Sequence, residues 1–179
     1  MGRPFFVVAA ALLAAGGLLP AAGLAGCSDV RWPRGTDGAP ADTTTGEVRF
    51  RMAGPGGAAI VVPVSVDGHD PVDLILDTGA TLTCVDTALA RAWALPEQRM
   101  AVGMAVGIGA AGRVRLHTAD SLRVGTTSAR RVTVCSMDLQ ALRAVGSDVR
   151  GLLGLNVLRN YRVTLDFERR VLQLAPPRS

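Results

Sequence analysis

Leu74-Ile75-Leu76-Asp77-Thr78-Gly79-Ala80-Thr81 is the stretch on which the reading of this 179-residue chain turns. Three large apolar residues in succession read as the end of a buried strand, because a half-exposed strand would alternate apolar and polar positions. A carboxylate then leaves that strand abruptly. Gly79 permits a tight turn, Ala80 is small and Thr81 is polar. A carboxylate so placed either caps its own turn by accepting from a backbone N–H two residues on, or it is a reactive group presented by a rigid strand. The tripeptide Asp-Thr-Gly alone does not choose between these, since three common residues recur by chance.

The flanking sequence reads mainly as β. Val48 and Phe50 alternate with Arg49 and Arg51, and Ala59 to Val66 is Val-rich. Asp67-Gly68 supplies a hairpin turn before Val72 to Leu76. Asp86 is placed to cap a short helix ending near Ala94, with Pro96 beyond it. Residues 101–112 alternate Gly with small apolar residues, a pattern for a mobile hairpin. Val114 to His117, Ser121 to Val124 and Arg131 to Met137 read as strands. Asn156 to Asn160 reads as a helical turn, and Arg162 to Phe167 with Val171 to Leu174 as a final hairpin. No internal repeat is present. Short, evenly spaced strands with one or two helical turns predict a small all-β barrel or sandwich.

Three separated elements, in order, resemble the retropepsin-like aspartic proteases, over nearly all of residues 58–174. The first is Val64-Ser65-Val66-Asp67-Gly68 leading to Leu74-Ile75-Leu76-Asp77-Thr78-Gly79-Ala80-Thr81. The second is Gly107-Ile108-Gly109-Ala110-Ala111-Gly112, similar to the flap that closes over substrate. The third is Gly151-Leu152-Leu153-Gly154-Leu155-Asn156-Val157-Leu158, similar to the apolar segment behind the catalytic loop and its short helix. The resemblance implies a closed β-barrel with a flap hairpin and one or two short helices. It implies Asp77 as the catalytic carboxylate, Thr78, Gly79 and Ala80 as its loop, and Gly107, Ile108, Gly109 and Ala110 as flap and substrate-binding positions. Leu152, Leu153 and Gly154 support the loop from behind.

Such chemistry needs two carboxylates sharing one proton, one serving as base toward water and the other as acid toward the peptide carbonyl. The chain carries one Asp-Thr-Gly and has no length for two lobes. The resemblance therefore implies an aspartic endopeptidase that is a homodimer, acting on peptide or protein substrate without metal or other cofactor. Thr81 and Leu82 stand where retroviral enzymes carry acidic residues, and Leu155 stands where they carry an inter-subunit Arg. Those departures fit the bacterial branch of the family. The competing expectation is a catalytically silent protein of the same fold, serving as a peptide-binding or structural envelope lipoprotein.

The N-terminus sets the compartment. Arg3, an apolar run from Phe5 to Leu19 and small residues thereafter form a secretory signal. Leu24-Ala25-Gly26-Cys27 resembles the lipobox of bacterial lipoproteins, which implies removal of residues 1–26 and lipidation of Cys27. Residues 27–45, rich in Pro, Gly, Asp and Thr, read as a disordered tether, and residues 46–179 as the protease domain. The expected location is extracytoplasmic, lipid-anchored to the bacterial envelope, with Ser28 pointing to the periplasmic face of the outer membrane.

Other residues carry less. A net charge of +4 spread over scattered Arg residues, with no aromatic-interleaved basic cluster, indicates no nucleic-acid surface. Cys84 and Cys135 lie in apolar runs and read as two free buried thiols, with a disulfide as the alternative. His69 and His117 read as bland, Asp166 and Glu168 as turn groups, and Trp93 as a helix anchor. No His/Cys/carboxylate cluster suggests a metal.

Overall fold

A computed structural model of the chain describes residues 37–107 and 110–177, and for residues 99–107 and 110–113 the backbone alone. The signal segment, Cys27 and the first part of the expected tether lie outside the described residues. Among the described residues, twelve strands and two α-helices follow in order, besides 3-10 turns at Pro55–Gly57 and Gln140–Ala144: β1 Ala39–Pro40, β2 Gly46–Arg49, β3 Arg51–Ala53, β4 Ala59–Val66, β5 Val72–Leu76, β6 Thr83–Asp86, α1 Thr87–Ala92, β7 Glu97–Gly107, β8 Ala110–Val124, β9 Thr127–Met137, β10 Val149–Leu153, α2 Leu155–Leu158, β11 Arg162–Asp166 and β12 Val171–Ala175.

The barrel closes. Successive pairing runs β9, β6, β10, β5, β4 and β8, and β8 pairs back with β9, so these six strands form a ring. Closure removes the open edges that a flat sheet of this size would expose. Two pairings in the ring are parallel, β5 with β10 and β6 with β9. The turn after β4 is fixed by Asp67 (φ 47°) and Gly68 (φ 79°), both left-handed as a tight Asp-Gly hairpin turn requires. The His69 amide closes it on the Val66 carbonyl at 2.9 Å. Asp86 caps α1 through the Ala88 amide at 2.8 Å, as expected from its position.

Alternation decides which side chains fill the ring. Val62, Val64 and Val66 from β4, Leu74 from β5, Val85 from β6, Val132 and Val134 from β9 and Leu153 from β10 pack together almost without exposure. A second apolar layer lies on the other face of the sheet, where Leu82, Cys84, Val114, Cys135, Met137 and Leu139 cluster. A separate three-stranded sheet, β11-β12-β2, carries the expected terminal hairpin, and Phe50 meets Phe167 edge-on at 5.7 Å.

Three expectations change. Cys84 and Cys135 are joined in a disulfide, contrary to the reading of free thiols. They stand directly opposite on the adjacent parallel strands β6 and β9, with Cα atoms 4.4 Å apart, within bridging reach. The two strands read at Val114 to His117 and Ser121 to Val124 are one continuous β8. Thr118-Ala119-Asp120 contains no breaker, and the strand pairs with β7, β4 and β9 along its length. Finally, part of the expected tether is ordered on the barrel: Ala39 and Pro40 pair with Arg130 and Ala129.

Candidate active site

Strand β5, with Leu74 fully buried and its other residues half-buried, ends at Leu76, and the Asp77 amide donates to the Leu153 carbonyl at 3.0 Å, continuing the β5–β10 pairing by one residue. The Asp77 side chain turns back over its own loop. Its Oδ1 accepts from the Gly79 amide at 2.8 Å, and the Ala80 amide reaches the Asp77 carbonyl at 3.3 Å. Among the described residues, Oδ2 has no hydrogen-bond partner. The two meanings of the motif therefore coexist: one oxygen caps the turn, and the other is left for an external proton or water. A Cβ on Gly79 would stand 3.2 Å from Oδ1, close enough to press on the carboxylate it holds.

The loop is held from behind by α2. The Leu155 and Asn156 amides, in the first turn of that helix, donate to the Ala80 and Thr81 carbonyls at 2.8 and 3.1 Å. Gly154 lies so close to β6 that a Cβ would collide with the Leu82 and Thr83 main chain. Its amide donates to Thr83 Oγ1 at 3.1 Å. Asn156, only 2 % exposed, accepts from both the Thr83 amide and its hydroxyl and donates to the Thr133 carbonyl. Neither Thr83 nor Asn156 was singled out by the sequence reading. The available signal was an amide side chain inside an otherwise apolar Leu-Gly-Leu-Asn-Val-Leu run.

The expected site residues fall as follows. Asp77, Thr78, Gly79 and Ala80 share one loop, with Thr78 and Gly79 exposed. Leu153 holds that loop through its carbonyl, Gly154 lies behind it with its amide on the Thr83 hydroxyl, and the half-buried Leu152 pairs with Ile75 and Cys84 on the neighbouring strands. Gly107 and Ala110 pair at the end of the long β7–β8 hairpin. Ile108 and Gly109 lie outside the described residues. The middle of the hairpin's β8 arm is tied to the loop's exit, since Val114 packs in the same cluster as Leu82 and Cys84. His117 is buried, with Nδ1 3.1 Å from the Leu95 carbonyl and Nε2 2.9 Å from the Ser136 hydroxyl, and His69 stacks on Trp93. Neither histidine joins the site. Asp166 accepts from the Arg169 amide in a turn. Among the described residues no group of three or more His, Cys, Asp or Glu could hold a metal ion.

Residues 62–157, more than half of the chain, match the family described as Aspartyl protease. This chain belongs to the aspartyl protease family. The matched span of this aspartyl protease runs from β4 to α2, and so contains Asp77, the hairpin and the Gly154 support. A retropepsin-like aspartic protease from Rickettsia conorii is similar in fold, with a TM-score of 0.51 at 16 % identity over 74 % of this chain and 92 % of that one. The retroviral protease-like domain of Ddi1 from Leishmania major aligns with a TM-score of 0.43 at 15 % identity, over 67 % and 94 % of the two chains. The likeness to the Rickettsia conorii protein, with the closed six-strand ring, makes the expected retropepsin-like fold the observed one. No curated protein matches the sequence.

Proposed function

We propose that this aspartyl protease is an endopeptidase in which the Asp77 carboxylates of two chains activate water between them. The observation that carries the reading is the asymmetry at Asp77. Oδ1 is held by Gly79, whereas Oδ2 is unpartnered among the described residues, on a loop anchored by β10 and by α2. One carboxylate per chain is half of the needed pair, so a second copy supplies the other across a two-fold axis. The ionised member takes a proton from water as it attacks the peptide carbonyl. The protonated member donates to the carbonyl oxygen. The pair then titrates as a unit. The exposed Thr78 hydroxyl is available to brace the opposite loop, and the half-exposed Leu155 offers apolar surface beside it. Gly107 to Ala110 would close over the substrate backbone.

The anchor belongs to the same proposal. A lipid on Cys27, with residues 1–26 removed, would hold the domain at the envelope, on the periplasmic face of the outer membrane. Confinement to a surface raises effective concentration and favours a weak dimer.

The test is cleavage of an unstructured protein by purified chain across a concentration series, alongside Asp77→Asn. The reading requires activity that rises steeper than linearly at low concentration and is lost in the variant. Equal cleavage by Asp77→Asn would sink it. Absence of both cleavage and self-association would favour the silent peptide-binding alternative.

A further inference from the structure

We propose that Asp37 is a positioning residue for the Asp77 loop, and that Asp37 to Ala41 form a strap whose seating on β9 the peptidase requires. The proposal rests on reading Asp77 as catalytic. Its origin is a change of neighbour along β9. Ala129 and Arg130 pair with β1, whereas Val134 to Met137 pair with β6. Between these two partners the backbone kinks, with Arg131 at φ 50°. At such a changeover, main-chain polar groups lose their ladder partners, and buried ones have to be satisfied in another way.

Asp37 and Asn156 fill that gap together. Thr133, 8 % exposed, donates its amide to Asp37 Oδ1 at 2.7 Å, and its carbonyl accepts from Asn156 Nδ2 at 2.8 Å. Asp37 Oδ2 lies 3.5 Å from the same Nδ2. Asn160 locks the strap from the other side, its Nδ2 donating to the Asp37, Gly38 and Asn156 carbonyls at 2.9, 3.0 and 2.8 Å. Gly38 (φ 68°) passes so close to Asn156 that a Cβ would collide with the Asn156 carbonyl. The Ala41 amide completes the strap on the Ser128 carbonyl at 2.7 Å. Asp37 therefore touches the one side chain whose oxygen holds Thr83, and Thr83 in turn accepts from Gly154 beside the Asp77 loop.

A consequence concerns release from the N-terminal segment. A cut before Asp37 leaves the strap seated. A cut in the exposed Asp42 to Thr45 turn severs it from the barrel.

The experiment compares full-length parent, Asp37→Ala, Asp37→Asn and Asp42→Ala. Among the described residues, Asp42 bonds to Thr44 alone, in its own turn, and its variant serves as the control. Measured are kcat and KM well below every melting temperature, with hydrogen exchange at the Gly79, Thr83 and Gly154 amides. Asp37→Ala is expected to lower kcat between about ten- and a hundred-fold with little change in KM, as for a sub-ångström misplacement of a reacting group. Exchange at the three amides should quicken. Asp37→Asn, which retains an oxygen for the Thr133 amide, should recover part of both effects, and Asp42→Ala should match the parent. Parental kcat and parental exchange in Asp37→Ala overturn the proposal, as does a rate loss that vanishes when scaled to the folded fraction. If the parent itself fails to cleave, the catalytic reading falls, while the exchange comparison still decides whether Asp37 holds the loop.

Discussion

Asn156 Oδ1 accepts two hydrogen bonds from one residue, the Thr83 amide at 2.8 Å and the Thr83 hydroxyl at 3.0 Å. Both residues are buried, and both bonds span more than seventy positions of sequence. Removing the amide side chain leaves a buried N–H, a hydroxyl and the Thr133 carbonyl short of a partner. Each such orphan costs about 1–3 kcal/mol. Asn156→Ala is therefore expected to lower the melting temperature substantially, and Asn156→Asp, which sets an oxygen against the Thr133 carbonyl, at least as much. Thr83→Val keeps its amide bond and should cost less. Thermal unfolding of the three variants checks that order.

The Cys84–Cys135 bridge joins residues 51 apart in sequence. On a chain-entropy account, closing a loop of that length stabilises the folded state by about 4 kcal/mol. The folded protein should show no reactive thiol at these positions. Cys84→Ser with Cys135→Ser, or a reduced parent, should melt well below the oxidised parent. An unchanged melting temperature after verified reduction would contradict the pairing.

Tyr161 is the single tyrosine of the chain, so its ionisation can be followed without overlap. Burial first, and then the Asp42 carboxylate, push its phenol up to about 12. Its hydroxyl donates to the Ser128 carbonyl at 3.0 Å. The folded state thus favours the neutral phenol. The associated stability is complete below the unfolded value near 10 and is lost as pH climbs from about 10 through about 12, in total on the order of 2 kcal/mol. Phenolate absorbance should rise late and together with unfolding. Tyr161→Phe should flatten the loss of stability in that alkaline window.

Gly154 adopts an ordinary extended backbone (φ −99°), so the demand for glycine there is one of space. A methyl group would meet main-chain atoms of Leu82 and Thr83, which cannot swing aside as a side chain can. Gly154→Ala should force β6 away from the turn into α2. The expected cost is roughly 1–3 kcal/mol or more, with activity falling further than stability. Urea unfolding and cleavage assays, run side by side, test the difference.

The local signals were legible because each is written within a few residues. Asp67-Gly68 made its turn, Asp86 capped α1, and Leu74-Ile75-Leu76 formed the strand leading to Asp77, though only Leu74 of the three is fully buried. The alternation at Val48 to Phe50 and the terminal hairpin were legible for the same reason. Relations set by distant partners were not. Ala39-Pro40 has no strand pattern; it is a strand because the edge of β9 beside it is open. The cysteine pairing depends on β6 and β9 lying in register, which neither segment encodes alone. Asn156 looked like a helix residue, and its importance lies in what β6, β9 and Asp37 bring to it.

The disulfide also encircles part of the chain. Everything between Cys84 and Cys135, including α1 and the whole β7–β8 hairpin, lies inside one covalent ring. A protease that nicks the hairpin tip cannot shed a fragment, because both halves stay attached through sulfur. A molecule cut once there would run as a single species until a reducing agent is added. In a compartment populated by other peptidases, the hairpin can thus be damaged without the barrel coming apart.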